Sequence, residues 1–159
     1  MVTIKDIIPL AARVPFRIGF LNGDLRNLES VRLAGSKCSD CSIVLFGERH
    51  RCENCSSKNI TSMTFRKNGV VFSYTVQRYA PPKPNACPDP WVPRPLAWID
   101  LDDGGPRIMA PVDCDPNSIA IGSAVTLCCE AGWTDHNGCE VVAYKFLLAS
   151  AQGAGSANG

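Results

Sequence analysis

The chain has 159 residues, 45% of them hydrophobic and 19% charged, a composition typical of one globular unit or of two small modules. A formal charge of +1 gives no global field for attracting a polyanion, which argues against nonspecific nucleic-acid binding as the main role. The sequence has neither an apolar run of about 18 residues nor the segments of a signal peptide, so we expect no membrane span and a cytoplasmic location.

Residues 1–30 are predicted to form an N-terminal lead-in that is partly helical. Thr3 and Asp6 have the spacing of a helix cap. Leu25, Leu28 and Val31 then recur at helical intervals. We therefore expect short helical turns before the first strand.

Residues 31–64 contain the most specific motif, two C-x-x-C pairs separated by ten residues. Cys38 and Cys41 form the first pair, and Cys52 and Cys55 form the second. Each pair can wrap one side of a metal ion, so four thiolates would complete a tetrahedron around Zn²⁺ and leave no open coordination position. The sequence predicts a zinc ribbon with one structural zinc ion per chain.

Three alternatives to this zinc site remain open at the level of sequence. His50 lies two residues before Cys52 and is a candidate ligand, although two complete thiolate pairs are already present. Iron also accepts four thiolates. Disulfides would require an oxidising compartment.

Residues 65–149 are predicted to form a small five-stranded barrel, which makes the fold class mainly β. The tail at 150–159 has almost no side chain able to be buried, so it is expected to be disordered. Strands are expected at 70–79, 96–101, 107–112, 124–130 and 140–149.

The first barrel strand is predicted to belong to a hairpin. An Asn68–Gly69 pair lies between strand-like segments at 61–65 and 70–79, as in a tight β-turn. Side chains alternate between the two faces of a strand, and the more apolar face is expected to be core. That face contains Val70, Phe72, Tyr74 and Val76.

Residues 80–95 contain seven prolines, which remove backbone donors and exclude a central strand or a helix. The segment is predicted to be a long, stiff surface loop. Trp91 is its large aromatic residue and, with Pro90 and Arg94, is expected to dock on a partner protein. The alternative is that Trp91 folds back over the barrel mouth.

No constellation of catalytic residues is recognisable in the sequence. The second histidine, His136, lies in a Gly-flanked loop, and a pair of this residue with a cysteine is not favoured. There is no phosphate-binding loop, nucleophile elbow or paired-carboxylate signature. The remaining cysteines lack metal-ligand spacing and are expected to be small buried residues: Cys87, Cys114, Cys128, Cys129 and Cys139.

A four-cysteine ribbon followed directly by a five-stranded barrel resembles the OB-fold, zinc-ribbon accessory proteins of thiolases and other acyl-CoA enzymes. The matching stretches are RLAGSKCSDC, CENCSSKNI, GVVFSYTVQRYAPP, PLAWIDLDDGGPRIMAPVDCDP and IAIGSAVTLCCE. The chain departs from the family at Ser42 and Ser56, where glycine is usual after each cysteine pair, and at Gly47 and Glu48, which replace a proline pair.

The resemblance implies a noncatalytic subunit in an obligatory complex with a thiolase-fold catalytic subunit. It implies help in positioning or covering the coenzyme A thioester, whereas the partner would carry the catalytic cysteine and histidines of the acyltransferase. Within the family, the chain is most similar to the accessory subunits of benzoylsuccinyl-CoA thiolases of anaerobic toluene degradation.

Three other functions compete with this interpretation. OB barrels also bind single-stranded nucleic acids through stacking aromatic residues and a basic groove. A self-sufficient enzyme is disfavoured because the predicted metal site is closed. An electron carrier would require iron in the four-cysteine site.

Overall fold

A computed structural model describes residues 12–83, 87–102 and 104–149. These residues form strands and turns, as the mainly β prediction requires. The strands in chain order are β1 (Arg13–Pro15), β2 (Leu21–Asn22), β3 (Arg32–Cys38), β4 (Val44–Phe46), β5 (Ile60–Thr64), β6 (Asn68–Gln77), β7 (Arg94–Leu101), β8 (Arg107–Pro111), β9 (Ala124–Thr134) and β10 (Glu140–Leu148).

The ribbon sheet is built around β3, which pairs antiparallel with β2, β4 and β5. In this sheet Cys38, the last residue of β3, lies opposite Ile60 at the start of β5. The cysteine motif therefore begins where the sheet ends. The paired backbones fix the direction in which the first cysteine side chain leaves the sheet.

The second sheet has the strand order β1-β10-β9-β6-β7-β8. A parallel bridge between Val112 and Phe146 brings the end of β8 back to β10, which closes the five longer strands into a barrel. This arrangement is the predicted OB-fold barrel. The short strand β1 extends it by pairing in parallel with β10.

One continuous core joins the two sheets. Leu33 of β3 and Phe65, which follows β5, belong to the same buried cluster as Val71, Ile99 and other barrel residues. Gly35 lies directly beneath the Phe65 ring, where an added Cβ would overlap the ring carbons. The ribbon is thus packed against the barrel and shares its hydrophobic core. The other members of the core cluster are Ala97, Leu101, Ile108, Ala110, Val112, Ile119, Val125, Leu127 and Phe146.

The prediction of a partly helical lead-in is wrong for residues 12–30. This part of the chain forms β1, β2 and a single 3-10 turn at Leu28–Ser30. The Asp24 carboxylate accepts a hydrogen bond from the Arg26 amide, which makes a local turn where helix was expected. Pairing with β10 and β3 outweighs the weak helical spacing. Thr3 and Asp6 lie outside the described residues, as does the tail predicted to be disordered.

The predicted hairpin is also wrong. β5 pairs with β3, whereas β6 pairs with β7 and β9 in the other sheet. Residues 65–67 carry the chain from one sheet to the other, and buried Phe65 anchors this crossing. Local turn chemistry at Asn68–Gly69 could not reveal which strands would become neighbours, because that depends on the whole sheet.

The predicted inner face of β6 is wrong for the first part of the strand. Val71 is buried, whereas Val70, Phe72 and Tyr74 are exposed. A register shift between Val71 and Ser73 marks a bulge that leaves Phe72 without a direct partner on β7. Beyond the bulge, Tyr74 and Val76 lie opposite the buried Ala97 and Pro95 of β7, so the predicted apolar face is divided between the two sides of the strand.

Among the described residues, no helix has the length and apolar character needed to cross a membrane.

Candidate metal centre

The four cysteines come from two chain segments that have the same local structure. In the first, the Cys38 amide donates to the Ile43 carbonyl and the Ser42 amide donates to the Cys38 carbonyl, at 3.0 and 2.9 Å. In the second, the Cys52 and Ser56 amides make the corresponding bonds, to Ser57 and Cys52, at 2.8 and 3.0 Å. Each segment is a tight knuckle that turns two thiols toward the same point.

The sulfur atoms lie at distances that suit a tetrahedral metal ion. The Cys38 and Cys55 sulfurs are 3.6 Å apart, as are those of Cys41 and Cys52, and all four lie within 4.8 Å of one another. Four sulfurs about 2.3 Å from zinc would be about 3.8 Å apart, whereas a disulfide would need about 2.05 Å. The donor set therefore fits one ion and leaves no ligand position for water.

The cysteines differ in their exposure. Cys38 and Cys52 are buried, Cys41 is half-buried and Cys55 is exposed. The amides of Asn54 and Cys55 approach the Cys52 sulfur at 3.4 and 3.5 Å and can stabilise negative charge on it. The side of the cage formed by Cys38 and Cys52 therefore faces the protein interior, and the side formed by Cys55 faces solvent.

The pKa values of Cys41 and Cys55 are displaced in opposite directions. A hydrogen bond from the Ile43 amide, aided by Asn54, lowers the pKa of Cys41 to about 6. At Cys55, the Ser57 amide lowers the pKa, but desolvation of the sulfur and the neighbouring thiols raise it to about 12. A bound divalent cation would favour the thiolate form at all four positions.

Side chains outside the cage connect the two knuckles. Asp40, in the first knuckle, accepts hydrogen bonds from Ser57 and Asn59, which follow the second. The Ser39 amide donates to the Asn59 carbonyl at 2.9 Å. These bonds connect the two halves of the site in addition to the four cysteines.

His50 is exposed and is not among the clustered ligand residues. The neighbouring arginines have local partners: Arg49 pairs with Glu53 at 3.2 Å, and Arg51 donates to the Ser56 carbonyl at 3.2 Å. Both contacts are therefore to an acid or a backbone carbonyl and not to a cysteine sulfur.

The remaining cysteines have no environment that would activate a nucleophile. Burial is the main reason that the pKa of Cys129 is raised, to about 11. Burial is also the main reason that the pKa of Cys114 is raised. His136 is exposed, and its neighbour Asp135 accepts hydrogen bonds from the amides of Asn137 and Cys139. Among the described residues, these groups do not form a nucleophile–base pair.

Trp91 is half-buried. Its indole nitrogen donates to the Gln77 carbonyl at 3.1 Å, and the Arg94 guanidinium lies over its ring at 5.1 Å from the centroid. Arg94 Nε is buried without a hydrogen-bond partner in the described structure. Pro90 is exposed, and a groove of about 270 Å³ separates this loop from the barrel.

Comparison with known proteins gives consistent matches. A family profile described as the C-terminal OB-fold domain of ChsH2 matches residues 64–130. A DUF35 domain-containing scaffold protein of Methanothermobacter thermautotrophicus is 34% identical over 60% of this chain and 69% of its own length. One from Pyrococcus furiosus is 30% identical over 74% of this chain and 84% of its own length.

Among solved structures, the Ltp2-ChsH2(DUF35) aldolase contains a chain with a similar fold. The TM-score is 0.57 at 23% sequence identity, and the match covers 75% of this chain and 86% of the other. The likeness concerns the fold.

Proposed function

Since the chain belongs to the family of DUF35 domain-containing scaffold proteins, we propose that it is a noncatalytic, zinc-binding accessory subunit of a thiolase-type acyl-CoA enzyme. The catalytic cysteine and histidines belong to the partner. This chain supports assembly of the complex and binding of the coenzyme A thioester.

The observation that carries this proposal is the closed cage of four thiols. A zinc ion with four protein ligands has no free position for substrate or water, so its role is structural. Cys38, Cys41, Cys52 and Cys55 would hold the ion, and the ion would fix the ribbon against the barrel. The part of the chain that the structure describes supplies no alternative catalytic pair.

The need for a partner is supported by the printed descriptions of similar proteins. Two relatives are named scaffold proteins, and the similar solved structure is titled as an aldolase of Ltp2 with ChsH2(DUF35). A thiolase-fold partner, and benzoylsuccinyl-CoA thiolase of anaerobic toluene degradation in particular, are finer proposals that rest on the sequence motifs.

The loop at 80–95 is proposed to contact the partner through Trp91, Pro90 and Arg94. The hydrogen bond to Gln77 and the stacked guanidinium hold Trp91 in one orientation before docking. A pre-organised side chain loses little conformational entropy on binding. Trp91→Ala should weaken association with the partner, whereas Ile121→Ala, which removes an exposed apolar side chain outside this loop, should not.

The function is tested by measuring thiolysis of an acyl-CoA thioester by the isolated chain, by the thiolase-fold subunit that co-purifies with it, and by their complex. We expect no turnover by the isolated chain and full activity only in the complex. Turnover by the purified chain alone, or a thiolase subunit equally active without it, would contradict the proposal.

A further inference from the structure

The outward face of β6, β7 and β8 carries a contiguous apolar surface, here called the Trp98 patch. It consists of Val70, Phe72, Trp98 and Met109, which are 41, 48, 42 and 46% exposed. On the opposite face of the same strands, Val71, Ile99 and Ile108 are buried in the barrel. The backbone of the patch is therefore fixed by the core, whereas its large side chains contribute little to that core.

The strand register makes these side chains neighbours. Trp98 lies directly opposite Met109 on β8 and opposite Ser73 on β6, where the bulge adds Phe72 to the same region. Val70 is opposite Asp100, which is in turn opposite Arg107. Two adjacent rows of paired residues thus form one surface three strands wide.

The charges on this face neutralise each other. Arg107 makes two hydrogen bonds to the Asp100 carboxylate, at 2.6 and 3.1 Å, and its guanidinium lies 3.3 Å from the centroid of the Phe72 ring. The cation is engaged by an acid and by an aromatic ring. It is therefore poorly placed to bind a phosphate chain, and the patch complements an uncharged surface.

The composition of the patch is that of a protein interface. Aromatic residues, methionine and arginine are enriched in the centres of interfaces, and contiguous exposed apolar surfaces of soluble proteins commonly mark interaction sites. Residues 78–93 join β6 to β7. Arg94, the first residue of β7, lies on the same side of that strand as Trp98, which links the patch to the segment proposed above to dock.

We propose that an uncharged apolar face of the catalytic subunit covers the Trp98 patch in the complex. This inference rests on the proposed function and adds the surface and its chemistry. Trp98 is the central anchor, Phe72 and Met109 flank it, and the Asp100–Arg107 pair borders it.

The test measures the dissociation constant between the chain and the purified thiolase-fold subunit by titration calorimetry. Trp98→Ala and Met109→Glu alter exposed side chains, so folding should persist and can be verified by the melting temperature. Loss of a central anchor is expected to weaken binding by about 30-fold. Ile121→Glu is the matched control, because Ile121 is 72% exposed and lies outside the patch.

Unchanged affinity of both patch variants, with a stable wild-type complex, would overturn this inference and leave the proposed function standing. Failure of the wild-type chain to bind the subunit at all would overturn both. The inference would also be overturned if Trp98→Ala converted a wild-type homodimer to a monomer and left the affinity for the partner unchanged. The same holds if Trp98→Ala abolished binding of single-stranded DNA and left the affinity for the partner unchanged.

Discussion

At the scale of single residues, Ser42 and Ser56 show how closely the two knuckles are matched. Their φ angles are 64° and 63°, in the left-handed region that favours glycine. Both amides complete the knuckle turn by bonding to the first cysteine of the pair. The serines are tolerated because four ligands and two hydrogen-bonded turns determine the backbone at these positions.

Ser42→Gly and Ser56→Gly are therefore expected to stabilise the metal-bound protein by about 1 kcal/mol each, since the left-handed conformation costs L-residues about that much. Chemical denaturation measures the effect. Ser39→Gly is the control, because Ser39 lies in the first knuckle but is not among the positive-φ residues and should gain nothing. Equal increases in the free energy of unfolding for Ser39→Gly and Ser42→Gly would show that the left-handed backbone at Ser42 is not strained.

Cys129 gives a second prediction at this scale. With its pKa raised from 9.0 to about 11, chiefly by burial, its thiolate population at pH 8 falls about 100-fold. Greater intrinsic nucleophilicity of the more basic thiolate offsets part of this loss, so alkylation should be about tenfold slower than for an unperturbed thiol. Mass spectrometry after timed iodoacetamide treatment of the metal-bound protein measures the rate. Labelling of Cys129 as fast as exposed Cys87 would refute the prediction.

The sequence was informative about residues whose chemistry is local. Four thiols at knuckle spacing predicted the cage, and the cluster of Cys38, Cys41, Cys52 and Cys55 confirms that they come together. That zinc is the bound ion stays a prediction. The exposure of Phe72 was not readable, because it depends on a bulge and on which strand faces the core.

At the scale of elements, the junction between β3 and the barrel depends on one close approach. An added Cβ on Gly35 would overlap the ring of Phe65, which is 1% exposed, and would lie 3.0 Å from the Leu45 carbonyl oxygen. Neither neighbour can move freely, because one is a buried ring and the other is backbone. The ribbon and the barrel therefore have little freedom to separate or rotate.

Gly35→Ala should consequently destabilise the protein by about 1–3 kcal/mol through overpacking. Urea denaturation of the metal-bound form is the measurement. Gly132→Ala serves as the control, because the nearest atom to its added Cβ is Ala143 Cβ at an ordinary 3.8 Å. A Gly35→Ala variant as stable as the Gly132→Ala variant would show that the two sheets are not tightly packed.

The elements also show where reasoning from sequence ends. Strand periodicity located most of β6–β10, because alternation and turn residues are local signals. The crossing between β5 and β6 and the strands in the lead-in depend on partners far along the chain, such as Glu140 for Arg13. The boundaries 1–30, 31–64, 65–149 and 150–159 stay predictions.

At the scale of the whole molecule, the metal is expected to determine whether the ribbon is folded. Cys38 connects β3 to the cage, and β3 also contributes Leu33 to the common core. Removing a ligand should therefore affect both the ribbon sheet and its packing on the barrel. A structural zinc ion contributes on the order of 10 kcal/mol to folding in small peptides.

Cys38→Ser is expected to lower the zinc content well below one ion per chain and to unprotect the amides of β3–β5 in hydrogen exchange. Chelation of the wild-type protein should have the same effect. Cys139→Ser, which changes a cysteine outside the cage, should keep the metal and the protection. A Cys38→Ser chain with full metal content and a protected ribbon would contradict this role.

The central claim, that the four thiols form a closed cage with a structural role, is tested most directly by X-ray absorption at the zinc edge of the purified complex. The account predicts one zinc ion per accessory chain with four sulfur neighbours at about 2.3 Å and no lighter ligand. A coordination shell that contains oxygen or nitrogen would contradict it.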